Sequence, residues 1–183
     1  MAVNLSARQL PLPDLAETVQ SILRETGMDP STLCLEITES ELVGDVHSAT
    51  TLLALKGLGV RIAIDDFGTG YSSFSYLKRF PVDLVKINRS FVEDLGRRAD
   101  DAAIVAAMIN LAHTLGFTAV AEGVGTLAQL ELLEDLGCDF GQGFLWSRPR
   151  PPGELEELLD GSVALDALGR VDARTSTGQR APS

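Results

Sequence analysis

Two hydrophobic periods alternate along the chain. Short runs rich in β-branched and apolar residues are separated by stretches whose apolar residues recur every three or four positions. Strands are predicted at 2–6 (AVNLS), 33–38 (LCLEIT), 60–65 (VRIAID), 83–88 (DLVKIN), 117–122 (FTAVAE) and 138–145 (CDFGQGFL). Leu15, Val19, Ile22 and Leu23 predict a helix that Gly27 stops, and 46–57 is a second helical run. SSFSYLKRF (72–80) reads as a short helix, and Ile104, Ala107, Met108, Leu111 and Leu115 mark an amphipathic one. Thr126 and Gln129 have capping-box spacing ahead of a helix through Leu127, Leu130 and Leu133. A last short helix is predicted at 153–159. From residue 161 the sequence turns small, polar and turn-rich, which predicts one domain over 1–160 and a disordered tail over 161–183.

Strand and helix alternate six times, so the expected class is α/β, with parallel strands joined by crossover helices. The pattern alone leaves an open doubly wound sheet and a barrel both available. The 183 residues are 45% hydrophobic, enough for a sizeable core. No apolar run reaches membrane-spanning length and the start carries no secretory signal. A net charge of −11 disfavours a nucleic-acid polymer as partner. It is compatible with an anionic small molecule where bound cations invert the local charge. Cys34 and Cys138 are far apart in apolar settings and read as packed small hydrophobes rather than a disulfide or metal site. A reducing cytoplasm is the expected location.

Nearly every predicted strand ends on a residue capable of chemistry: Asn4, Glu36, Asp65 with Asp66, Lys86 with Asn88, Glu122 and Gln142. Strand C-termini of a parallel α/β fold share one mouth, where ligands bind. Four carboxylates gathered there repel one another, by about 4 kcal/mol for a pair 4 Å apart at an effective dielectric near 20. Cations or protons must offset that repulsion. Oxygen ligands without His or Cys point to Mg²⁺, Mn²⁺ or Ca²⁺. Two ions about 3.5–4 Å apart suit phosphoester hydrolysis, and Lys86 suits a phosphate oxygen or the attacking water. Gly68 and Gly70 allow the loop after Asp66 to approach closely and move. A lone acid at a strand end is more often a cap or a solvated loop residue; repetition across strands is what raises these. Asp66-Phe67-Gly68 lacks the other kinase motifs, and no dinucleotide fingerprint is present. His47 and His113 fall on helical patterns, and Phe144 and Trp146 read as core or rim packing.

VNLSARQL, LEITESEL, IAIDDFGTGYSSFSYLKRFPVDLVKI, VAEGV and DFGQGFLWSRP, in this order, closely resemble the EAL domain family, whose members hydrolyse cyclic di-GMP to linear pGpG. The resemblance covers 2 to about 158. It implies a TIM-type (β/α)₈ barrel, incomplete here because the first strand and following helices lie before residue 1, and two Mg²⁺ or Mn²⁺ ions. Asn4, Glu36 and Asp65 would hold the first ion. Asp65 would bridge to the second, which Asp66 and Glu122 also hold. Lys86 would orient the attacking water, Gln142 would support site and substrate, and Glu39 would anchor the DDFGTG loop. Three departures follow: the Glu-Ala-Leu segment does not occur, Asn88 stands where the family has Asp, and Gly125 stands where it has Glu. The expectation is therefore an EAL-type phosphodiesterase domain with weak or absent activity. The alternative is a catalytically dead module that binds cyclic di-GMP or a protein. A homodimer or other protein partner through the barrel edge or helices is the expected assembly.

Overall fold

The computed structural model of the protein describes residues 1–42, 46–70, 77–97, 99–149 and 151. Six strands form one sheet: β1 (Ala2–Asn4), β2 (Cys34–Thr38), β3 (Arg61–Phe67), β4 (Leu84–Ile87), β5 (Thr118–Glu122) and β6 (Phe140–Gln142). They lie side by side in chain order and every neighbouring pair is parallel. An order that never reverses is that of a singly wound barrel wall; a doubly wound sheet would reverse at its switch point. The described strands form part of such a wall.

Among the described residues the connecting α-helices include α1 (Leu15–Thr26), α2 (Val46–Gly57), the five-residue α3 (Arg89–Glu93), α4 (Ala99–Leu115) and α5 (Leu127–Asp135). Helix α1 ends at Gly27, whose φ of 67° is the left-handed C-cap that glycine accepts without strain. Helix α5 opens with the predicted capping box, Thr126 and Gln129 each serving the other's backbone N–H. Helix α3 was not expected. Asn88, read as the end of a strand, is its N-cap and accepts a hydrogen bond from the Ser90 N–H. The predicted 138–145 strand is cut to three residues. At Gly143 the chain runs so close to the Val124 backbone that a Cβ would lie 2.2 Å from its carbonyl oxygen, and Leu145 N–H then donates to that oxygen. The helix predicted at 72–80 falls mostly outside the described residues, as do the helix at 153–159 and the tail at 161–183.

The alternation of strand side chains divides the apolar residues into two sets. Leu35, Ile37, Ile62, Ile64, Val85, Ile87, Ala119 and Ala121 pack outward into the main core beneath the helices. Cys34, Ala63, Leu84 and Val120, with Phe140 against them, form a separate small cluster. Paired acids fasten the strand entrances. Asp83 accepts from Ile62 N–H and from the Lys56 ammonium, and Asp139 accepts from Ala119 N–H and pairs with His113. Among the described residues no helix is long and apolar enough to cross a membrane.

Both cysteines are free and buried, and burial pushes each thiol up to about 11. At pH 8 such a thiol is about one part in a thousand thiolate. The folded protein is therefore expected to react with a thiol reagent at least a hundredfold more slowly than the urea-unfolded chain, which should titrate two thiols. Rapid labelling of the native state would contradict this packing.

Candidate functional site

Each residue of the small apolar cluster is followed, two positions on, by a polar one. Cys34 leads to Glu36, Ala63 to Asp65, Leu84 to Lys86, Val120 to Glu122 and Phe140 to Gln142. A spacing of two keeps a side chain on the same face. The polar residues therefore form a second layer on the inner side of the sheet, at the strand C-termini. Asn4 joins them as the register partner of Glu36 on β1.

Asp65 and Asp66 are adjacent, so a regular strand would aim them to opposite faces. The register breaks here: Ile64 pairs with Val85 and Phe67 with Ile87, leaving two residues of β3 opposite the single Lys86 of β4. This is a β-bulge. Asp66 takes φ 56°, the one positive value at a non-glycine residue among those described, in a region Asp tolerates better than most. The bulge turns both carboxylates to one side. Oxygens of Asp65, Asp66 and Glu122 lie within 4.8 Å of one another.

Lys86 is 5% exposed and Glu36 8%. The Lys86 ammonium lies 2.7 Å from Glu122, 3.0 Å from Glu36 and 3.3 Å from Asp65. Burial by itself lowers the affinity of this amine for its proton. The hydrogen bond and charge of Glu122, with those of Glu36, outweigh burial and hold it above the ordinary lysine range. Burial pushes the Glu122 carboxyl up, against the hydrogen bond and charge of Lys86. The like-charge repulsion expected from the sequence is thus met first by a lysine of the protein itself.

The loop after β3 is held by Glu39, 4% exposed, whose Oε2 accepts from Gly68 N–H at 2.8 Å and Gly70 N–H at 3.4 Å. Gly68 has φ 95°, and a Cβ there would meet Met108 at 2.3 Å and Phe91 at 3.0 Å. Asn88 donates from Nδ2 to Asp66 Oδ1 while capping α3. Gly125 donates its N–H to Gln129 Oε1, and the Gln129 amide reaches Val92 O, tying the loop after β5 to α3. Sequence reading missed Gln129 as a tie between this loop and α3 and took it only as a cap.

A cleft beside Glu122 is lined by Arg89, Glu93, Gln142 and Phe144. Arg89 was not among the expected residues; it directly follows Asn88 and opens a helix too short to show a period. Phe144 is 61% exposed at the rim, with the Arg148 guanidinium 4.9 Å from its ring centroid. Trp146 packs against the core. His113 pairs with Asp139 at the opposite end of the strands, and the His47 side chain lies outside the described residues. Asp65, Asp66 and Glu122 offer oxygen donors only, a set that suits a hard divalent cation. The two cysteines bond to backbone or pack in apolar surroundings, away from this set.

The EAL domain profile matches residues 1–149. The bifunctional diguanylate cyclase/cyclic di-GMP phosphodiesterase MucR of Pseudomonas aeruginosa is 48% identical over 156 residues, which are 85% of this chain and 23% of that protein. A solved PaMucR phosphodiesterase–c-di-GMP complex is 49% identical with a TM-score of 0.79, covering 84% of this chain and 63% of that one. Klebsiella pneumoniae BlrP1, solved with c-di-GMP and either calcium or manganese, is 38% identical with a TM-score of 0.75, covering 81% of this chain and 38% of that one. The chain spans 20–26% of the length of these and other curated relatives that it matches. With a profile match over most of its length, the chain belongs to the EAL domain family.

Proposed function

We propose that this chain is a cyclic di-GMP phosphodiesterase domain that cleaves one phosphodiester bond to give linear pGpG. The observation that carries the reading is the bulge of β3, which gathers Asp65 and Asp66 with Glu122 beside the buried Lys86. Relatives named as cyclic di-GMP phosphodiesterases, and solved in complex with c-di-GMP, support the substrate. Calcium and manganese in the BlrP1 complexes support a divalent ion, which here would be Mg²⁺ or Mn²⁺. Asn4, Glu36 and Asp65 would hold one ion, and Asp65, Asp66 and Glu122 a second. Bound there, such ions supply a lowered water pKa and a charge clamp on phosphoryl oxygens.

The remaining work falls to the protein's own groups. Lys86 offsets part of the mutual repulsion of Glu36, Asp65 and Glu122, and its ammonium would serve a phosphate oxygen or an entering water. Glu39 fixes the backbone of the Asp66–Gly70 loop and so the direction of the two aspartates. Arg89, Gln142 and Phe144 border the cleft in which an anionic nucleotide would lie next to Glu122. The domain would occupy 1–160, in a cytoplasmic setting.

A second reading, a module that binds cyclic di-GMP without turnover, draws on two positions. Asn88 gives Asp66 an amide donor where the family pattern has a carboxylate, and Gly125 contributes none. Incubation with cyclic di-GMP and Mn²⁺ separates the readings. Linear pGpG is expected; binding with no product would favour the module. Asp65→Ala should abolish both Mn²⁺ binding and turnover, and zinc held by Cys34 or Cys138 in elemental analysis would sink the metal assignment.

The two substituted positions give a further test. A Cβ at Gly125 would meet nothing closer than Gln129 Oε1 at 3.7 Å, an ordinary van der Waals contact, so the backbone there accepts the start of a Glu side chain. Gly125→Glu and Asn88→Asp are each expected to tighten Mn²⁺ binding by about tenfold, the scale of changes beside a metal site, and to raise the rate. Asn88→Asp also sets a carboxylate against Asp66. Its metal-free form should melt lower than wild type and gain more from Mn²⁺. The pair should be non-additive, because both changes act on one site. Unchanged Mn²⁺ titrations for both variants would show that these positions do not weaken the site.

A further inference from the structure

The short 3₁₀ turn Glu39–Leu42 follows β2, the strand that lies between β1 and β3. Its first residue, Glu39, reaches the loop after β3. Two residues on, Glu41 reaches the other way. Its Oε1 accepts from Ala7 N–H at 2.8 Å, in the loop after β1, and its Oε2 accepts from Thr38 N–H at 3.0 Å, at the end of β2. With three residues per turn, positions two apart project in different directions, which is how one turn serves both neighbours. Both Glu41 oxygens are taken by backbone donors, and Glu41 is not part of the acidic set around Asp65.

What Glu41 fastens is the approach to an edge strand of the sheet. Strand β1 has three residues, all exposed, and only β2 as a described neighbour. Three register pairs hold it, the last being Asn4 with Glu36, followed by Leu5 N–H to Glu36 O. Beyond that point the Glu41 carboxylate links the β1 loop to the end of β2. Asn4 lies three residues before Ala7 and Glu36 two before Thr38. We propose that Glu41 is a positioning residue: by bridging Ala7 and Thr38 it holds Asn4 against Glu36 at the mouth of the site. The consequence for metal binding rests on the function proposed above; the consequence for β1 does not.

The test uses the 183-residue chain as wild type, Glu41→Ala and Glu41→Gln. Amide hydrogen exchange is read at Leu5, Ala7 and Thr38, with Mn²⁺ affinity by titration calorimetry and thermal melting alongside. Glu41→Ala should lose protection at all three amides and bind Mn²⁺ about tenfold more weakly, as loss of a ligand-orienting contact does. Glu41→Gln keeps one acceptor oxygen and should fall between, which covers the case in which the alanine variant folds poorly. Retained protection at Leu5 in Glu41→Ala would overturn the proposal. So would wild-type Mn²⁺ affinity in a variant whose Ala7 exchanges freely. If wild type itself binds no Mn²⁺, the metal reading of the site falls, and exchange at Leu5 decides the role of Glu41 alone.

Discussion

A buried ammonium among three carboxylates sets the terms for the rest of this structure. Lys86 is nearly inaccessible to water and sits within 3.3 Å of Glu36, Asp65 and Glu122, which come from three other strands. None of these charges is tolerable alone in that position. Together they require β2, β3, β4 and β5 to end at matching heights, so the electrostatics and the sheet register depend on each other. The upward push on the Lys86 proton affinity expresses the same coupling, since burial opposes it and the acids overcome burial.

The bulge in β3 extends that constraint to a fourth acid. Without the extra residue opposite Lys86, Asp66 would leave the inner face and the site would keep one aspartate. The positive φ at Asp66 is held by what surrounds it: Asn88 donates to its side chain, and Thr69 N–H and Oγ1 donate to its carbonyl. Glu39 then fixes the next turn of backbone. Each of these partners lies on a different element, so the geometry of two adjacent residues is set jointly by the turn after β2, the cap of α3 and the loop itself.

The same architecture separates stability from chemistry. Outward strand residues bind the sheet to its helices, while the inner apolar cluster forms a floor of small and medium side chains beneath the polar layer. Asp83 and Asp139 tie strand entrances by accepting backbone N–H groups, far from the acids at the mouth. Substitution of a polar residue at the mouth therefore changes charge without removing core contacts, which is how Asn88 and Gly125 can depart from the family pattern inside an intact fold.

The alternation of short apolar runs with helical periods determined much of this from the sequence alone. It made six strands and their parallel class legible, and a polar residue ending an apolar run is a local signal that marked Glu36, Asp65, Lys86, Glu122 and Gln142 at one mouth. The capping box at Thr126 and Gln129 is equally local. Helix α3 was not legible, being too short to show a period, and the shortening of β6 was hidden because it follows from contact with Val124, distant in sequence. The sequence showed two acids side by side but could not show that both face inward; the register shift against β4 decided that. Nor could it show that Lys86 neutralises acids from three strands, or that Glu41 joins Ala7 to Thr38. Those are long-range pairings, and only closing the sheet brings their partners within hydrogen-bond distance.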